Sequence, residues 1–479
     1  MINSSFYFLL VFIFASCSSG KFTDEKKVIE LQPTYLEENS QINTLIKGVW
    51  KSIGNGYYLE AKEDSILLYS YTSSFCYKEK NDYLEGLLNS QSKFALRGDT
   101  LEIYLTDFGE ATTRLQTKKD FVRVPKLPNN CVNFKEMRSF NLSKLYDLYI
   151  ETLEENYAFA ERRNLNWDLI QEQYQSRVAS NSGMDSLFAV LGDIATLTKD
   201  QHTKVISPLG KTLQYRVTRS AEVVKRAFEK QLETEDLNKY FNLFFEANYK
   251  NISDSLLNGN GKKALNKKIE WGQLNERVGY INIHSFSGLL GKEFTRKQQI
   301  DSLNHRMREI IVSFKDKDAI IVDVSFNFGG YDAVALTIAG YFTDIPTFSH
   351  KSQVYKEDGF YDEDIVIVHP SDSISFTKPV YVLMTDISRS AAEGFAMMMG
   401  ALPNVKLVGT NTLGTLSGML GKSIGDFYTT YSHQRLLNDK NQYYEAQGVE
   451  PDIRMSVFPE NNVFNGHKIA VKNIVDMIQ

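Results

Sequence analysis

The stretch Pro379–Met399, PVYVLMTDISRSAAEGFAMMM, sets the tightest constraint on how this chain can fold. Val380, Val382 and Leu383 make a short β-favouring apolar run, which Asp386, Ser388 and Arg389 end. From Ser390 onward, Ala391, Ala392, Glu393, Phe395, Ala396 and Met397–Met399 favour a helix. Ser390 therefore stands where a strand ends and a helix begins. Main-chain N–H groups there lack intrahelical partners and the helix dipole is positive, so an anion can be held. A serine at such a junction is either an N-cap or a nucleophile, and the stretch alone does not choose.

The surrounding pattern alternates strands and helices, which requires a substantially parallel sheet with crossovers. Val278–Ile283 reads as a strand, and Lys297–Phe314 as a helix carrying Ile300, Leu303, Met307, Ile310 and Ile311. Ala319–Val324 is nearly continuous apolar sequence, as a buried central strand requires. It leads into Asn327-Phe328-Gly329-Gly330, where a glycine pair allows the main chain to approach a ligand closely. Beyond the Ser390 unit come a short strand at Val405–Gly409, a loop punctuated by Gly414 and Gly418, and the segment Tyr443–Asp452 before a terminal helix.

Upstream, Gly48–Pro125 consists of short alternating apolar and polar segments separated by Gly54-Asn55-Gly56, Gly98-Asp99 and Asp107-Phe108-Gly109. This predicts a small antiparallel β-domain without a cluster of catalytic residue types. Ser139–Leu197 is helical in character, with Leu142, Leu145, Tyr146, Leu148, Tyr149 and Leu153 on one stripe and Leu187, Val190, Leu191 and Ile194 on another. The loop Thr198–Thr203 follows and carries His202, one of seven histidines. A lone loop histidine is either a solvated surface residue or a poised base. Pro208–Leu274 is charged and reads as helical, with a break at Asn258–Gly261.

At the N-terminus, Phe6–Ala15 is too short an apolar run to span a bilayer and reads as a signal-peptide core. Phe14-Ala15-Ser16-Cys17 resembles the lipobox of bacterial lipoproteins, with Phe14 where leucine is usual; the resemblance implies lipidation of Cys17. The polar stretch behind it reads as a tether that leaves a soluble body at a membrane surface. Cys76 and Cys131 are either a disulfide in an oxidising compartment or two buried thiols. A net charge of −5 with both signs interspersed gives no basic patch for nucleic acid.

Taken in order, these motifs resemble the C-terminal processing peptidases and the tricorn protease core, a family of serine peptidases. The matching pieces are Val278–Ile283 with Phe286, Ile320–Val324 leading to Asn327 and Gly329-Gly330, Ser390-Ala391-Ala392-Glu393, Val408-Gly409-Thr410 with Thr412 and Gly414, and Gly448-Val449-Glu450-Pro451-Asp452. Upstream, Glu155–Phe159 with Trp167 resembles the helical segment of the tricorn-like branch. The resemblance implies Ser390 as nucleophile. The lysine base of the processing branch is absent, because Thr415 occupies its position and Lys422 lies beyond the loop. The tricorn-like branch supplies a histidine instead, which matches His202, with Gln201 where tricorn has a serine. The acidic partner, three positions before the Gly-Val-x-Pro-Asp segment, matches Glu445.

A Ser390–His202–Glu445 triad satisfies what peptide hydrolysis needs: a base to take the hydroxyl proton and an acid to fix the imidazole tautomer. Main-chain N–H groups of Gly330, Ala391 and Gly329 are the candidate oxyanion donors. Arg389 is either a ligand for a substrate carboxylate or a solvated turn residue, and Asp323 and Asn327 read as structural supports of the glycine pair. The expected class is a multidomain α+β or α/β chain with a mixed-sheet core; the resemblance implies that the core is ClpP/crotonase-like. The expected divisions are a signal peptide with its lipobox cysteine over 1–17, a tether over 18–44, a small β-domain over 45–127, a helical domain over 139–277 and the catalytic core over 278–479. The expected function is a serine peptidase acting on peptides or unfolded proteins, lipid-anchored in a bacterial cell envelope, with no metal or organic cofactor. The alternatives are a peptidase-like binding protein for a hydrophobic or peptide ligand, and an esterase using the same triad.

Overall fold

A seven-stranded sheet organises the C-terminal half. In spatial order its strands are Lys262–Ala264, Ile269–Gln273, Val278–Ile283, Ala319–Asp323, Val380–Met384, Val405–Gly409 and Ile453–Arg454. The five strands from Val278 onward run parallel, and the first two are added antiparallel. The computed structural model describes residues 34–35, 37–38, 41–80, 93–104, 118–178, 183–230, 236–357 and 359–478. The expected signal segment with Cys17 and the Asp107–Gly109 turn lie outside the described residues.

The central strands are buried along their whole length, Val278–Ile283 and Ala319–Asp323 without exception. Two layers of helix cause this. The helix Arg296–Ser313 is started by a capping box, in which Gln298 N–H donates to Thr295 Oγ1 at 3.2 Å and Thr295 N–H to Gln298 Oε1 at 2.8 Å. Its residues Ile300, Leu303, Met307, Ile310 and Ile311 recur every three or four positions and pack on Ile281, Val322 and Val382. Burial of each such side chain stabilises the fold by about 1.5–3 kcal/mol. The helices Asp332–Ala339 and Ala391–Gly400 belong to the same cluster. On the other face, the C-terminal helix Gly466–Ile478 packs with Leu237–Lys250 over Tyr280, Ile321 and Leu383.

Between Gly330 and Ser390 the chain forms a long hairpin, Thr347–Lys356 with Gly359–Val368, whose first strand also pairs with Gln434–Leu437. The alternation pattern did not reveal this hairpin. Nor did the charged character of Pro208–Leu274 reveal the strands Lys262–Ala264 and Ile269–Gln273. Lysines occupy the exposed edge strand, as edges commonly require, and they mask its β character.

The N-terminal sheet is nine-stranded among the described residues and antiparallel apart from its last pair. Strands Tyr57–Ala61, Ile66–Tyr71, Lys93–Arg97 and Thr100–Tyr104 fall on the expected alternating segments. Its core contains Trp50, Leu59, Leu101 and Ile103. The edge strand Cys131–Val132 pairs with Cys76–Lys78, and a Cys76–Cys131 disulfide joins them. Closing a loop of that length contributes about 4 kcal/mol in the chain-entropy account.

One small sheet decides the geometry of the site. Lys204–Ile206, directly after the histidine loop, pairs with Phe427–Ser432, which in turn pairs with Met419–Ile424. Lys204 lies opposite Thr430, so the histidine loop is stitched to the chain that follows Ser390.

Candidate active site

Ser390 has φ 56° and ψ −127°, outside the extended conformation of an ordinary N-cap. A non-glycine residue held there costs of order 1–3 kcal/mol and persists only when its surroundings determine it. Those surroundings are specific. Ser390 N–H donates to Thr415 O at 3.1 Å and to Glu393 Oε2 at 3.2 Å. The fully buried Glu393 carboxylate also accepts from Thr412 Oγ1 (2.6 Å), Gly414 N–H (2.7 Å) and Thr415 N–H (2.8 Å). Glu393 thus clamps the loop 412–415 to the first turn of the helix that Ser390 opens. Burial pushes its carboxyl up to about 7, against those hydrogen bonds.

The glycine pair lies directly against this turn. A Cβ on Gly329 would sit 2.7 Å from Arg389 O and 2.8 Å from Ser390 Cβ, and its φ is +94°. A Cβ on Gly330 would meet the Phe286 carbonyl carbon at 2.4 Å. Only glycine fits at either position. Asn327 fixes the loop: its Oδ1 accepts Gly329 N–H at 2.7 Å and its Nδ2 donates to Ile283 O at 2.8 Å. The Gly329 N–H is therefore engaged. The Gly330 and Ala391 N–H groups have no protein acceptor among the described residues.

His202 is buried rather than solvated. Its main-chain N–H donates to Asp200 Oδ1 at 2.8 Å, and its carbonyl accepts from Thr430 Oγ1 at 2.7 Å. Burial holds the imidazole well below its ordinary pKa, Lys204 and Arg389 push the same way, and Asp200 and the Ser417 main chain oppose them. The ring is neutral at physiological pH. Its Nδ1 is buried without a hydrogen-bond partner among the described residues.

Glu445 is also buried, but its oxygens are directed elsewhere. Oε1 pairs with Arg163 Nη2 at 3.1 Å; Oε2 accepts from Leu416 and Ser417 N–H at 2.8 and 3.0 Å. Burial raises its carboxyl, Asp200 adds to this, and Arg163 opposes it. Among the described residues no hydrogen bond joins Glu445 to His202. The loop 414–418 is the common neighbour of all three groups: Thr415 O meets Ser390, Ser417 meets His202, and the amides of 416 and 417 meet Glu445. Arg389 stacks 4.9 Å over the Phe328 ring and donates to Gln201 Oε1.

Two residues near His202 were not singled out in the sequence. Asp200 is the acid that most strongly acts on the imidazole, and it also faces Tyr157 and Arg163. His433 lies close enough to His202 to be felt electrostatically and is itself held down to about 3 by burial. Its Nδ1 lies 3.0 Å from Gly418 O. Asp200 was within the quoted loop, two positions before His202, and that adjacency was its only signal. His433 follows the strand paired with Lys204–Ile206, a neighbourhood visible only once the sheet is known. Lys422 is engaged elsewhere: its Nζ donates to Gly56 O at 2.8 Å and Tyr71 O at 3.3 Å. Among the described residues no group of three or more His, Cys, Asp or Glu side chains is placed to hold a metal ion.

Residues 277–455 match the family model of Peptidase family S41. The carboxy-terminal processing protease CtpA of Bacillus subtilis is 28% identical over 178 residues, 37% of this chain and 34% of that protein. The chain thus aligns with about a third of the length of that curated relative. A Parabacteroides merdae protein assigned as a peptidase superposes with a TM-score of 0.57 at 22% identity, covering 71% of this chain and 97% of the other. That likeness concerns the fold. Residues 277–455, which contain Ser390, the glycine pair and Glu445, are the part of the chain that matches peptidase family S41.

Proposed function

We propose that the chain is a serine peptidase that hydrolyses peptides or unfolded proteins, with Ser390 as nucleophile and His202 as general base. The observation that carries this reading is the strained Ser390 turn, flanked by the unengaged Gly330 and Ala391 N–H groups. Ser390 Oγ attacks the scissile carbonyl and the carbonyl oxygen takes up negative charge. Gly330 and Ala391 N–H are the donors for that oxyanion. Gly329 serves by lacking a side chain. Neutral His202 takes the hydroxyl proton and returns it to the leaving amine. Water then attacks the acyl-enzyme in the same site. Glu445 acts on His202 through Ser417, whose N–H it accepts and whose main chain meets the imidazole. Asp200 stabilises the imidazolium as it forms.

The Cys17 lipobox and the Cys76–Cys131 disulfide support an anchored enzyme in an oxidising compartment of a bacterial envelope. Incorporation of an alkyne fatty acid that is lost in Cys17→Ser tests the anchor.

A second reading, a peptidase-like binding protein, is favoured by Glu445 pairing with Arg163 and by the unpartnered His202 Nδ1. Hydrolysis of an unfolded protein by the intact chain and by Ser390→Ala separates the two. Turnover lost in the variant supports the peptidase, whereas equal rates in both remove Ser390 from the chemistry.

A further inference from the structure

Two cavities flank the Ser390 turn and share a wall at Thr218. One, of about 220 Å³, is floored by Phe241, Phe244, Phe245 and Phe328 and rimmed by Arg216 and Arg389. The other, of about 450 Å³, is lined by Arg162, Lys199 and Arg219 together with Gln201 and Thr415. Phe328 and Arg389 directly precede Gly329 and Ser390, while Gln201 directly precedes His202. Both cavities are therefore lined by immediate chain neighbours of the proposed reaction centre.

The charge in this cleft opposes that of the chain. The whole protein carries −5, yet these five cations converge from four separate segments, and Glu222 is the acidic residue lining either cavity. Arg163 is the cation already matched, by Glu445. Arg162 donates to Glu445 O and Gln447 Oε1, Arg219 to the carbonyls of Asn411 and Thr412, and Arg389 to Gln201. Those acceptors are neutral, so they orient the guanidinium groups without cancelling their charge. Arg216 and Lys199 are exposed, and neither has a carboxylate partner among the described residues. Like charges gathered around a half-buried cleft repel one another, and an anionic ligand relieves that repulsion.

We propose that this cleft selects acidic peptides: a bulky apolar side chain enters the phenylalanine-floored cavity while carboxylates on neighbouring residues meet Arg216, Lys199 and Arg219. The proposal rests on the peptidase reading for its chemistry, but its binding half is separable from turnover. Carboxylates match guanidinium forks in geometry as well as charge.

The experiment uses two dye-labelled peptides of equal length with a central phenylalanine, flanked by glutamates in one and lysines in the other. Binding to the full chain carrying Ser390→Ala is read by fluorescence anisotropy, and KM and kcat are read with the unmodified chain. The glutamate peptide is expected to bind at least about tenfold more tightly, with the preference shrinking between about 50 mM and about 500 mM salt. The pair Lys199→Glu and Arg216→Glu, confirmed as folded by an unchanged Tm, is expected to reverse the preference through KM. Replacing the central phenylalanine by glycine weakens binding in both series. Equal binding of the two peptides, a preference for lysine, or a glutamate preference that survives the double variant overturns the proposal. Tight acidic binding without hydrolysis keeps the ligand class and rejects the peptidase reading. Hydrolysis without charge preference does the reverse.

Discussion

Around Ser390 the main chain is fixed group by group, whereas around His202 the charges are buried but loosely matched. Glu393 gathers four donors onto one carboxylate, and Asn327 and the two glycines leave the opposing strand no freedom. The base side has an imidazole with an unpartnered Nδ1, an acid turned toward Arg163, and a second imidazole nearby. The proposed nucleophile and oxyanion donors come from one sheet and its crossover helix. The proposed base, His202, comes from a different region, through a three-residue strand that pairs with Phe427–Ser432. Groups on a single rigid element can be preorganised by local bonds, while groups brought together across sheets depend on loops.

Substitutions on the two sides should separate them. His202→Ala is expected to lower kcat by about 10⁴-fold with the fold intact; a fall of less than tenfold would move the base elsewhere, with His433 the first candidate. Gly329→Ala forces a Cβ into the Ser390 turn, and we expect about 10²–10³-fold lower kcat with a measurable drop in Tm. An unchanged kcat would show that this turn is not as tightly determined as its contacts indicate. Glu445→Gln removes one of the two buried carboxylates that act on Arg163 and leaves Asp200, so stability should fall in denaturant melts, by less than the about 3–5 kcal/mol of a buried charge left wholly unpaired. If Glu445 acts through Ser417, as proposed, kcat should fall only about tenfold, against about 10⁴-fold for a carboxylate bonded directly to the imidazole.

The smallest expected effect is in pH dependence. The active form of His202 is neutral, and burial lowers its folded pKa, so kcat/KM should persist as pH falls through the ordinary histidine value near 6.5 and fail only well below it. Between those values the unfolded chain binds the proton and the folded site does not. His202 thus contributes stability above pH about 6.5 that is lost as pH falls through the folded pKa. Lys204→Met removes a cation that depresses the imidazole, so the acid limb should move upward by some tenths of a unit. An acid limb at the ordinary value would mean that the ring is solvated in the working enzyme.

The parallel core was legible because its strands are buried on both faces and read as continuous apolar runs, Ala319–Val324 most plainly. The helix after Thr295 was legible from its periodicity, and the turn at Asn327–Gly330 from the glycine pair. The Thr347–Val368 hairpin was not, because charged residues interrupt its apolar alternation and outweigh the Asp358-Gly359 pair, a common hairpin dipeptide. The participation of Asp200 and His433 was hidden for a different reason. His433 reaches His202 through pairing between segments more than two hundred residues apart, a register that local pattern does not encode, whereas Asp200 stands two positions from His202 and belongs to no motif. Arg163 matched no motif, yet it pairs with one oxygen of Glu445 while the Leu416 and Ser417 amides hold the other.

The central claim, that the Ser390 turn is a working nucleophile activated by His202, is tested most directly by covalent labelling. The intact chain is treated with a serine-directed phosphonate, digested and mapped by mass. The account predicts one adduct, on the peptide containing Ser390, whose formation slows at least about 10²-fold in folded His202→Ala. A folded chain that takes no label at Ser390, or labels equally fast without His202, would contradict it.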